Sequence, residues 1–273
     1  MRTALATFGV FAALCGTTLA QWLNYPTPGI ARLPNGKPNL SAPAPRGPDG
    51  RPDLTGQWQA ECNFRNGCTG FFDLASDLDP AAVQMTPWAA AIQKQRVDRD
   101  HIDDPYGYCL PMGVPRMTVT APFKIITTPG LTAMLAETPV GMVFRQVFTD
   151  GRPFPTVVEP TWLGYSIGRW NGDVFVVEST GFRDAGWLDT RKARPHSDAL
   201  RVTERFFRTD LGHIALTVTI DDPKAYLKPW TIKSTLNLMP DTDLIESFCD
   251  TQTTIQAHWA VTPPPPEPHS PPR

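Results

Sequence analysis

Charged side chains interrupt apolar strand patterns at several points in this sequence. Glu204 alternates with Leu200, Val202 and Phe206, and Arg145 with Val143 and Val147. Glu178 alternates with Val174 and Val176, and Glu246 with Leu244 and Phe248. An ionised group buried alone is too costly, so each must pair or face a wet cavity. Read as a cavity lining, these groups offer acid/base chemistry. A carboxylate or imidazole removes a proton, and a guanidinium stabilises the oxyanion that develops. His196 or Glu204 is the candidate base, Asp184 or Asp189 the acid or orienting group, and Arg145 or Arg201 the stabiliser. The competing reading makes the charges struts, with Arg145 or Arg201 paired to a glutamate.

The segment between Glu178 and Leu200 collects Trp, Asp, Arg and His in one long loop, where a barrel would carry function. His196 lies there beside several acids, and its ordinary pKa is close to neutral. Trp162, Trp187 and Tyr165, with Glu178 and Glu246, are candidates for holding an apolar or aromatic ligand; the alternative for lone Trp residues is core packing. Gly164-Tyr165-Ser166-Ile167-Gly168 matches the G-x-S-x-G elbow of serine hydrolases, but a hairpin follows where that elbow needs a helix. His196, Asp198, Glu178 and His213 are metal-ligand types without a binding spacing, so no metal is expected. No G-x-G-x-x-G follows a strand and no G-x-x-x-x-G-K occurs, so no nucleotide cofactor is expected.

The elements that must position these residues read as mainly β. Runs at Phe123–Thr128, Leu131–Glu137, Met142–Phe148, Leu163–Trp170, Asp173–Ser179, Leu200–Phe207, His213–Ile220, Trp230–Asn237 and Leu244–Cys249 are short and regularly spaced. Asn171-Gly172 is a strong hairpin signal, and Ile214, Leu216, Val218 and Ile220 alternate with polar or small residues. The expected fold is an antiparallel calycin/lipocalin-like β-barrel over residues 54–261. One short helix is expected from Trp88 to Val97, with Thr86 as N-cap and Pro87 at the first position. Residues 21–53 are rich in Pro and repeat Pro34-Asn35-Gly36-Lys37-Pro38-Asn39-Leu40 as Pro48-Asp49-Gly50-Arg51-Pro52-Asp53-Leu54. Proline denies them a regular ladder, so they should lie over the barrel as an extended arm. Residues 262–273 should be a disordered Pro-rich tail.

Residues 1–20 read as a cleavable signal peptide: Arg2, a short apolar core, then Thr18-Leu19-Ala20 before Gln21. The chain should therefore be periplasmic or secreted. Cys62, Cys68, Cys109 and Cys249 remain after cleavage, an even number that reads as disulfides with three possible pairings. A short Cys62–Cys68 loop around Asn66-Gly67 would leave Cys109–Cys249 as the long staple. A net charge of −2 without basic runs speaks against nucleic-acid partners, and no later stretch suits a membrane span.

Several segments carry a resemblance. Pro52-Asp53-Leu54-Thr55-Gly56-Gln57-Trp58, Cys109-Leu110-Pro111-Met112-Gly113-Val114-Pro115-Arg116 and the run from Pro195 to Phe206 resemble a family of secreted bacterial proteins without an assigned activity. Ile220-Asp221-Asp222-Pro223-Lys224-Ala225-Tyr226 and Pro229-Trp230-Thr231 fit as well. The likeness spans nearly the whole mature chain and implies no chemistry. Gly56-Gln57-Trp58 is also similar to the G-x-W that opens lipocalin-type barrels, where the Trp closes one end. The leading expectation is a cofactor-free lyase or isomerase acting on a small apolar, oxygenated or aromatic molecule. A carrier for an apolar ligand is the main rival, and a serine hydrolase using Ser166 the third reading.

Overall fold

Strand directions organise the molecule into a barrel with two different ends. The computed structural model describes residues 25–61, 73–138 and 141–249. The strands are β1 (Gly56–Ala60), β2 (Phe123–Thr128), β3 (Leu131–Thr138), β4 (Gly141–Phe148), β5 (Tyr165–Asn171), β6 (Val174–Thr180), β7 (Arg201–Arg208), β8 (His213–Asp221) and β9 (Trp230–Leu238). They close into one nine-stranded barrel in chain order, β9 pairing back onto β1. The expected signal peptide (residues 1–20), the expected Pro-rich tail, Cys62 and Cys68 lie outside the described residues.

The β-rich expectation holds, with two differences in membership. The opening strand is β1, and Leu244–Cys249 takes no place in the barrel. Every neighbouring pair is antiparallel except β4 and β5, which run parallel through Val147↔Ser166 and Phe148↔Ile167 alone. Residues 149–164 cause this, because they carry the chain back to the end from which β4 began. In β8, Ile214, Leu216, Val218 and Ile220 are all buried, as their alternation requires. The Asn171-Gly172 signal resolves into a tight β5–β6 hairpin. Asn171 pairs with Val174, and Gly172 supplies a φ of 59° that a side chain would resist.

At one end sit two helices and the long loops. Helix α1 (Pro87–Asp98) is capped by Thr86, whose hydroxyl accepts from Ala89 N at 3.3 Å, and it buries Ala89, Ile92 and Arg96. Helix α2 (Arg116–Thr120) is a second helix beyond the one expected, and all five of its residues are buried. Burial at the barrel mouth overrides the modest helix propensity of Thr and Val there. Cys109 and Cys249 form a disulfide across a separation of 140 residues. Among the described residues no helix is long and apolar enough to cross a membrane.

The opposite end is closed by the arm. Each copy of the repeat folds into the same turn. Leu33 N donates to Lys37 O, and Gly47 N to Arg51 O, both at 2.9 Å. Arg32 reaches back to Gly36 O and forks onto Asp241; Arg46 reaches back to Gly50 O and forks onto Asp173. Between the two turns, Leu40 and Ala42 accept from Gly212 N and Leu211 N at 2.7 Å. The arm thus crosses the segment after β9, the β7–β8 turn and the β5–β6 turn in order. Trp58 closes the wall beneath, with its Nε1 donating to Leu54 O and Arg208 over its ring at 4.8 Å.

Candidate functional site

The parallel seam leaves a gap. β4 and β5 meet through only two residue pairs, so among the described residues Met142–Gln146 of β4 have no partner strand on that side. A cavity of 580 Å³ opens there, between β4, the start of β5 and the returning segment Thr161–Gly164. Its walls are Met142, Phe144, Phe148, Trp162, Leu163 and Tyr165, and its polar groups include Arg145, Gln146 and Ser166. Phe144 is 65% exposed at the rim, beside Met142, which is 44% exposed. Tyr165 stacks on Phe148 with centroids 5.0 Å apart, and Arg152 lies over the other ring system at 4.0 Å from the Phe148 centroid. Arg183 lies 5.7 Å from the Trp162 ring. Stacking and cation–π contacts orient these rings, so the wall is largely preformed.

Arg145 connects the cavity to the barrel interior. Its Nη2 donates to Glu204 Oε2 at 2.5 Å and to Ser179 Oγ at 2.8 Å, and its Nε donates to Ser166 Oγ at 3.1 Å. The two serine hydroxyls are 2.8 Å apart. Thr118 of α2 donates to the other carboxylate oxygen of Glu204 at 2.7 Å. The Arg145 and Glu204 side chains are 1% and 0% exposed. Removed from water, this pair needs its satellite hydroxyls to satisfy the remaining lone pairs and protons. Among the described residues, Arg145 Nη1 reaches only the Met134 sulfur, at 3.9 Å. Ser166 lies within a strand, and its bonded partners, Arg145 and Ser179, are not bases.

His196 belongs to a second network, at the helical end. Its Nδ1 lies 3.1 Å from Ser197 O, which can only accept, so the proton sits on Nδ1. The ring is edge-on to Phe182, and Gly186 is packed so closely that a Cβ there would strike Nε2. Burial holds the imidazole below its usual pKa, opposed by the Ser197 carbonyl and by the charge of Asp222. Asp184 contributes to the same field. Asp189 is fully buried and accepts from Leu74 N, Lys192 N and the Arg194 guanidinium. Asp222 holds Ser197 through both its N–H and its hydroxyl. Trp187 is buried under Arg96, whose guanidinium lies 4.6 Å from the ring. The polar residues of this loop hold the loop together.

The structure thus separates the residues singled out in the sequence. Arg145 and Glu204 meet in the barrel; Trp162 and Tyr165 line the cavity; His196, Asp184, Asp189 and Trp187 gather at the helical end. Three positions correct the pattern. Glu178, expected on the inner face with Val174 and Val176, lies outside and pairs with Arg169 at 2.5 Å, because Phe175, Val177 and Ser179 are the inward residues. Arg201 is exposed at the start of β7. Glu246 is exposed on a segment outside the barrel strands, which bridges β4 at Gly141↔Phe248 and hydrogen-bonds to Glu137 and Thr138 of β3. Ser179 of β6 and Thr118 of α2 are partners that the sequence does not advertise, since neither hydroxyl interrupts its local pattern. Met142, Phe144 and Phe148 were findable: their alternation places three large apolar side chains on the outer face of β4. Among the described residues, no group of three His, Cys, Asp or Glu is arranged to share a metal ion.

No family model matches this sequence, and no curated protein matches it.

Proposed function

We propose that the chain is an exported binding protein that carries a small, uncharged, apolar or aromatic molecule in the β4–β5 cavity. The observation behind this reading is the cavity itself: 580 Å³, walled by Phe144, Phe148, Trp162 and Tyr165, with few polar groups. That volume and lining are typical of small-molecule sites. Arg145 is the charged residue in the cavity lining and Glu204 already neutralises it, so the lining itself offers a charged head group no free counter-charge. A carbonyl or hydroxyl oxygen beside Arg145 and Ser166 fits better. The signal-like N-terminus and the Cys109–Cys249 disulfide support an oxidising, extracytoplasmic location.

Cofactor-free lyase or isomerase chemistry is the second reading. It is favoured by Arg145 and Ser166 lining the cavity, where a guanidinium and a hydroxyl can polarise a ligand carbonyl. Binding is preferred because Glu204 is engaged by Arg145 and Thr118, and His196 belongs to the other network.

Titration with N-phenyl-1-naphthylamine, a neutral aromatic dye that brightens in apolar surroundings, tests the proposal. Saturable binding is expected in the wild type and its loss in Leu163→Trp, which fills the cavity. No binding by the wild type, or equal binding by a folded Leu163→Trp, would sink it.

A further inference from the structure

Along the seam, β4 offers main-chain groups as well as side chains. Antiparallel pairing uses alternate residues. Those bonded across the ladder aim N–H and C=O at the partner strand, and those between them aim the other way. One residue past β4, Thr149 N donates to Gly130 O at 2.9 Å, which sets the phase of the β3–β4 ladder. Val147, Arg145 and Val143 therefore bond to Thr132, Met134 and Ala136 of β3, and the N–H and carbonyl of Phe144 face the seam.

Among the described residues, none pairs with Phe144 on that side. β5 joins β4 only at Val147 and Phe148, and the segment that carries Phe248 bridges it at Gly141. Thr161, on the opposite wall, is bonded elsewhere. Its N–H donates to Gly181 O at 3.1 Å, and its carbonyl accepts from Arg183 N at 2.9 Å. The 580 Å³ cavity lies between these walls, lined by Met142 to Gln146 on one side and Thr161 to Gly164 on the other. Met142, Phe144 and Gln146 are all exposed, so this edge is reached from solvent.

A free strand edge is a template for an added strand. A partner for Phe144 must give an N–H to its carbonyl and a C=O to its N–H. In an antiparallel pair a single residue supplies both, and that residue carries an amide on each side of its α-carbon. A ketone or ester would answer the N–H and leave the carbonyl without a donor. The side chains around the edge, Phe148, Trp162, Leu163 and Tyr165, suit apolar and aromatic neighbours. Only five residues of edge are free before β5 closes on β4, which favours a short partner.

We propose that the seam cavity takes a short, uncharged, extended peptide with apolar side chains, paired antiparallel to β4 at Phe144. This rests on the seam cavity being the ligand site and narrows its ligand to one with a peptide backbone.

The test uses N-acetyl-leucyl-phenylalanine amide and the same compound methylated at both main-chain nitrogens. Each is titrated into the full chain, alone and in competition with N-phenyl-1-naphthylamine. Methylation keeps the side chains and removes the donors that strand pairing needs. The parent peptide should displace the dye, and the methylated one should bind about tenfold more weakly or worse. Phe144→Ala and Phe144→Pro both remove the ring, but only the second removes the N–H. Proline suits this position because that N–H takes no part in the β3 ladder. The parent peptide should bind Phe144→Pro about tenfold more weakly than Phe144→Ala. If Phe144→Pro does not fold, the two peptides decide the matter on the wild type. Dye binding that the parent peptide does not displace, or equal binding of the two peptides, would overturn the peptide and leave the apolar site standing. Equal affinity of the parent for the two folded variants would overturn the pairing at Phe144. A wild-type dimer that dissociates in Phe144→Pro, with no peptide bound, would assign the edge to a second copy instead. Failure of dye and peptide alike would remove the site itself.

Discussion

The barrel interior and the N-terminal arm use the same bond for opposite purposes. Arg145 meets Glu204 at 2.5 Å, and Arg46 meets Asp173 at 2.6 Å. The interior pair is almost entirely withdrawn from water, whereas the Arg46 and Asp173 side chains are 51% and 44% exposed. Bond length therefore says little about consequence. Inside, each charge depends on the other, since neither can recover its hydration if the partner is removed. On the arm, water replaces a lost partner, and salt screens what remains. In the barrel neither member of the pair can be lost alone, whereas each fork on the arm can lose a member with little consequence.

Breaking the interior pair should give the largest effect. Glu204→Leu strands the Arg145 guanidinium and should cost about 3–5 kcal/mol in denaturant unfolding. The double substitution Arg145→Met with Glu204→Leu should recover most of that loss, because no charge is left uncompensated. Failure to recover would mean that the pair contributes more than mutual neutralisation. Next comes the arm's packing. A Cβ at Gly212 would lie 2.5 Å from Leu40 Cβ and 2.9 Å from its carbonyl oxygen. Gly212→Ala should cost about 1–3 kcal/mol by prising the arm away, unless the turn can shift. A smaller effect, about 1 kcal/mol, is expected for Thr118→Val, which removes one hydrogen bond from Glu204 but leaves the pair.

The surface forks should give the smallest effect. Asp173→Asn and Asp241→Asn should leave the unfolding midpoint nearly unchanged but speed hydrogen exchange at Leu211 and Gly212, whose amides donate to the arm. Arg46 and Arg32, through their hydrogen bonds, hold these two carboxyls below the usual aspartate pKa. A depressed folded pKa means that the contribution is complete above the unfolded value. It is lost as pH falls through the lowered folded values. Acid should therefore accelerate exchange at Leu211 and Gly212 beyond the intrinsic pH dependence, and the two Asn variants should lose that excess. Identical excess acceleration in the variants would refute the forks as the arm's fastening.

Much of the scaffold is legible in the residues alone. The strands from β2 to β9 follow from β-branched runs and turn residues, and α1 from Thr86 and Pro87, because these signals are local. The inward set of β8 is legible because its alternation is clean. β6 is not, since Val174, Phe175, Val176 and Val177 are apolar on both faces, and that is why Glu178 is misplaced by the pattern. Leu244, Glu246 and Phe248 alternate like a strand, yet barrel closure is a pairing between distant segments, and β1 fills that place instead. The polar residues around His196 are easy to find and hard to interpret. Their types suit catalysis, while only coordinates reveal how many of their bonds hold the loop together.

Strand directions around a closed ring obey a parity rule. If every neighbour were antiparallel, up and down would alternate, and the ring could close only with an even number of members. Nine is odd, so at least one like-directed pair is unavoidable, and here it falls between β4 and β5. The sixteen residues from 149 to 164 run back where a tenth strand would restore the alternation. The seam cavity is in this sense a dislocation in the sheet, placed by counting rather than by any one side chain. Substitutions can reshape its walls, but only a gained or lost strand would remove the fault that opens it.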